Sequence, residues 1–397
     1  MNEYSVNNNG LTSSKTGWQT THSKRPKLIL LISTLAMGGA ERVVSLLANG
    51  WSKQEIDLTV VTFADPPTDF YSLPDNVKRV PLGLQGPSIN IRQAVGTNLR
   101  RLKSLRRTFR QLRPDAIISH LDAMNVMAIL AAAGLSIPVV ATEHTNLDEY
   151  QEHLPAPWLI LRKLTYKRAS AVVAVSENTA SQLGRFVPKK QVSVIPNPAD
   201  PDGCLGKPSL NIQGPTIVSM GRLVGSKGFD LLIKAFARAA DHKPDWSLLI
   251  LGDGPERNKL ESLASELGVA DKCRFAGAIT NPGPVLAQAE MFALASRYEG
   301  FPMSLVEAMV CGLPVVCTRY SSDTDEIVGH NVDGILVDVD DEPGFAAALD
   351  RLMSDHDLRK QMSMKAKKLT ERFSLRSVLN QWNALLSKIT GQPWPQQ

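Results

Sequence analysis

Two glutamates eight residues apart, Glu299 and Glu307, flank a Gly-Phe-Pro turn in "SRYEGFPMSLVEAMVCGLPVV" and run into an apolar segment. As a pair they could be an acid and a base, two ligand anchors or two solvated helix charges. An ionised carboxylate only accepts hydrogen bonds, which suits paired sugar hydroxyls. Pro302 fits the start of a helix, whose free amides around Met303 to Leu305 would face an anionic phosphate. Taken singly, either glutamate is better explained as an ordinary helix charge.

A second constellation, "MGRLVGSKGFDLLIKAF", sets Arg222 and Lys227 among Gly221, Gly225 and Gly228. Two cations in a glycine-rich loop can neutralise a diphosphate that the backbone approaches closely. The glycine spacing fits neither a Walker loop nor a dinucleotide fingerprint. A third feature, "LLISTLAMGGAERVVSLLA", reads strand, Gly38-Gly39, helix, another place for close ligand approach at a helix N-terminus.

These features need elements to hold them. From Lys27 short apolar runs alternate with amphipathic segments: "KLILLIST", "LTVVTF", "DAIISH", "PVVATEH", "AVVAVS" and "VSVIP" read as buried parallel strands. Proline and glycine interrupt all periodicity at 196–215, the expected linker. The same grammar restarts with "TIVSMGRL", "WSLLILGDG", "CRFAGA", "MFALAS", "LPVVCT" and "GILVD". The expected division is a flexible tail at 1–26, a first α/β domain at 27–195, the linker, a second at 216–372, and a final helix and tail at 373–397. That last helix opens on Ser374 and aligns Val378, Trp382, Leu385 and Ile389 on one face. The ligand should lie where the carboxyl ends of both sheets meet.

Composition bounds the class. The chain has 397 residues, 43% of them hydrophobic and 21% charged, and a formal charge of +5, so it is globular and its charge does not by itself imply nucleic acid. Four cysteines without CxxC spacing or neighbouring histidines suggest neither a zinc site nor a disulfide framework, and a reducing cytoplasm is expected. The polar N-terminus has no signal-peptide pattern. The nearly uncharged run Ala123 to Thr142 is interrupted by Asn125, Gly134, Ser136 and Pro138, and reads as helix, turn and strand rather than a membrane span.

Together "GGAERVV", "GRLVGSKGFDLLIKAF", "LILGDGPERNKLE" and "SRYEGFPMSLVEAMVCGLPVV" resemble the retaining family 4 glycosyltransferases, with their E-x7-E signature, from Lys27 to about Ile389. The resemblance implies the GT-B fold: two doubly wound Rossmann-like domains facing across a cleft, the C-terminal helix packing back toward the first. It implies that Arg222 and Lys227 hold a donor diphosphate, Glu307 the ribose and Glu299 the transferred sugar. Gly38, Gly39, Gly300, Phe301, Pro302, Met303 and Ser304 would line the donor site. It further places a histidine after a first-domain strand near the sugar: His144 in "VVATEHTN", with His120 in "IISHLDA" as competitor. The expected chemistry is front-face transfer from a nucleotide sugar with no metal or other cofactor. The "DTD" at Asp323 to Asp325 and "DVDD" at Asp338 to Asp341 are then loop carboxylates.

For the acceptor, "TNLRRLKSLRRTFRQLRPD" aligns Leu99, Leu102, Leu105, Phe109 and Leu112 against Arg100, Lys103, Arg107 and Arg110. "WLILRKLTYKR" mixes Trp158, Leu159 and Leu161 with Arg162, Lys163, Lys167 and Arg168. Core-packed helices with solvated basic faces account for each; two such patches on one domain also suit an anionic membrane or a lipid diphosphate. The expectation is a peripheral enzyme on the cytoplasmic membrane face with a lipid-linked glycan acceptor, or a lipopolysaccharide-core or other sugar acceptor. Rivals are a nucleotide-sugar epimerase of the same fold and a noncatalytic nucleotide-sugar-binding or scaffold protein.

Overall fold

A computed structural model describes residues 25–86, 91–145, 147 and 156–396. The tail expected before Arg25 lies outside the described residues. Strands β1 (Lys27–Ile32), β2 (Asp57–Thr62), β3 (Lys78–Pro81), β4 (Ala116–His120), β5 (Val139–Glu143), β6 (Ala171–Ala174) and β7 (Val192–Val194) form a parallel sheet in the order β3-β2-β1-β4-β5-β6-β7. Strands β8 (Thr216–Met220), β9 (Ser247–Leu251), β10 (Cys273–Gly277), β11 (Met291–Leu294), β12 (Val315–Thr318) and β13 (Gly334–Val337) form a second, ordered β10-β9-β8-β11-β12-β13. All its registers are parallel as well. This is the expected doubly wound pair.

Helices cover both faces of a parallel sheet, so its inner strands bury nearly every side chain and read as continuous apolar runs. In β4 and β5 every residue is buried. The edge strand β3, "KRVP", gave no such run. Among the described residues it pairs only with β2, and it keeps Lys78 and Pro81 exposed, as sheet edges commonly do. The run Ala123 to Thr142 divides between helix Asp122–Ala132 and β5, and among the described residues no helix is long and apolar enough to cross a membrane.

The chain crosses between the sheets twice, and the crossings are hydrogen-bonded to each other. Ala199 N donates to Phe373 O at 2.8 Å, and Leu375 N donates to Ala199 O at 3.0 Å. Ser374 caps the last helix, Leu375–Thr390, by accepting from Ser377 N. That helix packs back on helix Gly39–Ser52: Trp51 Nε1 donates to Asn383 Oδ1 at 2.8 Å, and the Trp51 and Trp382 rings meet edge-on at 6.4 Å.

Two expectations are corrected. Cys204 and Cys311 form a disulfide, with their Cα atoms 5.8 Å apart across 107 residues of sequence. It ties the linker's short helical turn, Asp202–Leu205, to the end of helix Met303–Val310, leaves Cys273 and Cys317 free, and takes away the absence of a disulfide as an argument for a reducing compartment. Such a pair has no local spacing to read, because the fold alone brings its Cβ atoms together. In helix Ile91–Leu112, Leu105 and Phe109 are fully buried, yet Leu99, expected on the packed stripe, is exposed beside Val95. Leu102 and Leu112 pack partly buried against the same cluster, so the packed stripe begins at Leu102.

Candidate functional site

The loops after β8, β11, β1 and β5 carry the residues singled out above. After β8 the chain makes a short turn, Gly225–Lys227, and enters helix Phe229–Ala239 through Gly228 at φ +63°. A Cβ on Gly228 would lie 1.9 Å from the Ala295 carbonyl oxygen, so only glycine lets this turn press on the end of β11. That approach brings Lys227 Nζ to 2.6 Å from both oxygens of Glu299, and Ser296 Oγ donates to Oε1 at 2.8 Å. Glu299 is buried. Arg222 stands exposed at the mouth of the same loop, which is braced from below where Leu223 N donates to Asp253 O at 3.0 Å. The "LGDG" motif thus acts as support.

Arg297, which the sequence reading passed over, clamps this arrangement. Its guanidinium donates to both oxygens of Asp230 at 2.8 and 2.9 Å, to Asp340 at 2.7 Å and to the Gly225 carbonyl at 2.7 Å. The Arg297 bonds hold the Asp230 carboxyl below its usual range, outweighing burial. Its place next to Ser296 and Glu299 in the opening motif was the only available signal.

Gly300 touches the other domain. A Cβ there would sit 2.3 Å from the His144 carbonyl oxygen and 2.9 Å from Thr145 Cα. Phe301 packs into apolar clusters of both domains and lies edge-on to Phe373 at 6.2 Å. Pro302 caps helix Met303–Val310, and Met303 Cγ faces Gly39. The amides of Met303 and Leu305, expected to be free, donate instead to the carbonyls of Phe301 and Pro302 at 2.9 and 3.0 Å. Ser304 sits in the first turn between them. One turn on, buried Glu307 accepts from Arg42 Nε at 2.8 Å across the cleft. The two glutamates therefore have separate cationic partners and do not form a pair.

On the first domain, Gly38 precedes helix Gly39–Ser52, and the Glu41 carboxylate folds back over it. Burial raises the Glu41 carboxyl, while its own amide and Arg222 pull it down. His144 and its competitor His120 are partners: His120 Nδ1 lies 3.0 Å from His144 Nε2, and Thr142 Oγ1 lies 3.1 Å from each. Burial pushes the His144 imidazole down to about 4, against a smaller lift from Asn197. Burial and the neighbouring His144 also lower His120. Lowered in this way, both rings favour the neutral form at pH 7, in which an N–H of one can donate to the other.

Behind this pair lies a buried polar knot. Tyr166 donates to Glu143 and accepts from Asn125 Nδ2, and Arg162 donates to Asp122 at 3.1 Å. Burial and nearby Asp122 raise Glu143 well above the usual carboxylate range. Arg162, expected on the basic surface, is thus a correction: it is 2% exposed, turned inward by Asp122 and stacked near Phe186. Arg100, Lys103, Arg107, Arg110 and Lys163 do stand exposed, as do Ile160, Leu161 and Leu164.

The acidic runs have structural partners. Asp325 meets Arg319 at 3.2 Å, Asp340 meets Arg297, and Asp341 caps helix Glu342–Ser354 through Gly344 N. Among the described residues no cluster of three His, Cys, Asp or Glu side chains is placed to hold a metal ion.

Comparison with known proteins fits this geometry. The model "Glycosyl transferases group 1" matches residues 206–369, and "Glycosyltransferase Family 4" matches residues 37–202. The chain is 31% identical over 87% of its length to the N-acetylgalactosamine-N,N'-diacetylbacillosaminyl-diphospho-undecaprenol 4-alpha-N-acetylgalactosaminyltransferase of Campylobacter jejuni, covering 95% of that protein. It is 27% identical over 91% of its length to a second Campylobacter jejuni alpha-1,4-N-acetyl-D-galactosaminyltransferase, named for a diphospho-undecaprenol-linked glycan, covering 99% of it. Among solved structures, a sucrose-phosphate synthase of Thermosynechococcus elongatus superposes with TM-score 0.79 at 19% identity, covering 92% of this chain and 100% of that one. Anabaena HepE, crystallised with UDP and glucose, superposes with TM-score 0.75 at 22% identity, covering 91% and 100%. At such identities these structures establish the fold.

Proposed function

Because the chain belongs to the family 4 glycosyltransferases of GT-B fold, we propose that it moves a hexose or N-acetylhexosamine from a UDP-linked donor to a lipid-linked glycan, retaining the anomeric configuration. The observation that carries this reading is the convergence of Lys227, Glu299, Glu307 and the Gly300 turn, from separate strand ends, on one cleft wall opposite Gly39 and His144. An acceptor linked to undecaprenyl diphosphate follows the names of the two Campylobacter relatives.

Breaking the bond between the anomeric carbon and phosphate oxygen places negative charge on the departing diphosphate. Cations fixed beforehand stabilise that charge without reorganising. Lys227 keeps one N–H beyond its two bonds to Glu299 and can turn it to phosphate, with Arg222 the second cation. Glu299, anchored by Lys227 and Ser296, can accept from the transferred sugar's hydroxyls. Neutral His144 can hydrogen-bond the sugar but carries no charge to compete with the cations. The acceptor hydroxyl attacks on the face the diphosphate leaves, its proton passing to the leaving phosphate oxygen, so no side chain need become a covalent nucleophile. No metal is required in this scheme.

We place the membrane against helices Ile91–Leu112 and Ala156–Thr165. Their exposed Val95, Leu99, Ile160, Leu161 and Leu164 stand among Arg100, Lys103, Arg107, Arg110 and Lys163, which suits an anionic bilayer.

Purified protein incubated with labelled nucleotide sugars and a bacterial lipid extract tests the whole reading. Sugar appearing on lipid is the expected result; a free epimer of the sugar, or binding without turnover, would overturn it. Sedimentation with phosphatidylglycerol vesicles checks docking, which should weaken when Ile160 and Leu164 are changed to Ser.

A further inference from the structure

Arg42 belongs to none of the roles above, yet it makes a charged hydrogen bond across the cleft to the residue assigned to the ribose. It lies in the first turn of helix Gly39–Ser52, its own amide donating to Gly38 O at 3.0 Å. Its Nε donates to Glu307 Oε1 at 2.8 Å, its guanidinium carbon lies 5.8 Å from the centre of the Tyr71 ring, and both ion-pair side chains are largely buried.

We propose that Arg42 is a positioning residue for the donor, fixing the Glu307 carboxylate from the opposite domain so that Oε2 and the open lone pair of Oε1 face the ribose hydroxyls. This rests on the reading of Glu307 as the ribose anchor. A carboxylate on a short helix has two free side-chain torsions before its terminal one, and can turn its oxygens away from a ligand. A directional N–H to one oxygen, from a guanidinium itself held on an aromatic face, restricts that rotation. The helix bearing Arg42 packs against the first sheet, whereas Glu307 belongs to the second domain's core helix. The ribose site is therefore complete only when the two domains are docked, and selection of the ribose depends on the docked arrangement as well as on Glu307.

The test compares wild type, Arg42→Ala, Arg42→Lys, Glu307→Ala and the double variant. For each, calorimetry gives the affinities for UDP and for its 2′-deoxy and 3′-deoxy analogues, donor KM and kcat are measured, and thermal melting checks the fold. Loss of one buried charged hydrogen bond predicts for Arg42→Ala a rise in donor KM of about tenfold or more, with a smaller fall in kcat. The preference for UDP over at least one deoxy analogue should shrink toward that of Glu307→Ala, and the double variant should be no worse than Glu307→Ala alone. Arg42→Lys, which keeps the charge without the planar donor, should fall between. If Glu307→Ala loses ribose selection while Arg42→Ala keeps it, or if the two losses simply add, the proposal falls and the Glu307 reading stands. If Glu307→Ala binds UDP and its deoxy analogues as wild type does, both fall. Should Arg42→Ala fail to fold, Arg42→Lys with wild-type selection would refute the proposal by itself.

Discussion

Lys227 Nζ stands 2.6 Å from both carboxylate oxygens of Glu299, two residues 72 positions apart joined by the close approach of Gly228 to the end of β11. The pair links the phosphate end of the proposed donor site to its sugar end. Removing the lysine should therefore disturb both ends at once.

Lys227→Ala is expected to lower turnover by about 100-fold or more, as loss of a preorganised charge at a leaving group does. Its loss also leaves the buried Glu299 carboxylate without its cation, held by Ser296, so the melting temperature should fall as well, though by far less than the activity. Paired kinetic and calorimetric measurements check this; wild-type turnover in the variant would remove Lys227 from the site.

Gly300→Ala places a methyl group 2.3 Å from the His144 carbonyl oxygen. The donor turn must then lift off the first domain, and a displacement of this kind can cost about 100-fold in rate. The expected signature is a loss of kcat/KM well beyond the loss of stability, read by kinetics beside circular-dichroism melting.

His144 links pH to stability. Burial lowers its folded pKa from 6.5 to about 4, so between those values the unfolded chain binds more protons. Its stabilising contribution is full above about pH 6.5 and is lost as pH falls toward 4. Melting temperatures of wild type and His144→Gln from pH 7.5 to 4.5 should show that part of the acid-side loss disappears in the variant. Parallel curves would contradict the neutral, buried ring.

Transfer should persist in excess EDTA if, as proposed, Arg222 and Lys227 supply the charge that a divalent ion would otherwise bring. Strict dependence on added Mg²⁺ or Mn²⁺, read by product formation after dialysis, would refute this part of the mechanism.

Much of this was legible along the chain. Every inner strand of both sheets appeared as an apolar run, because a parallel strand buried on two faces has no alternative composition. The edge strand β3 was hidden by Lys78, Arg79 and Pro81, residues an edge tolerates. Helix phase was less secure: periodicity aligned Leu99 with Leu105 and Phe109, yet only the latter two reach the core. Periodicity also counted Arg162 among the basic surface residues, when a buried Asp122 some 40 positions away turns it inward.

By itself the sequence determined which residues could do chemistry and that strand ends would carry them, since composition, turn chemistry and spacing are local properties. Tertiary structure decided who meets whom. Glu299 pairs with Lys227 and Glu307 with Arg42, while His144 is hydrogen-bonded to His120 and Cys204 is joined to Cys311. The reason is physical: these contacts join segments from 24 to 265 residues apart, and their short distances arise from packing helices on two sheets and docking the sheets together.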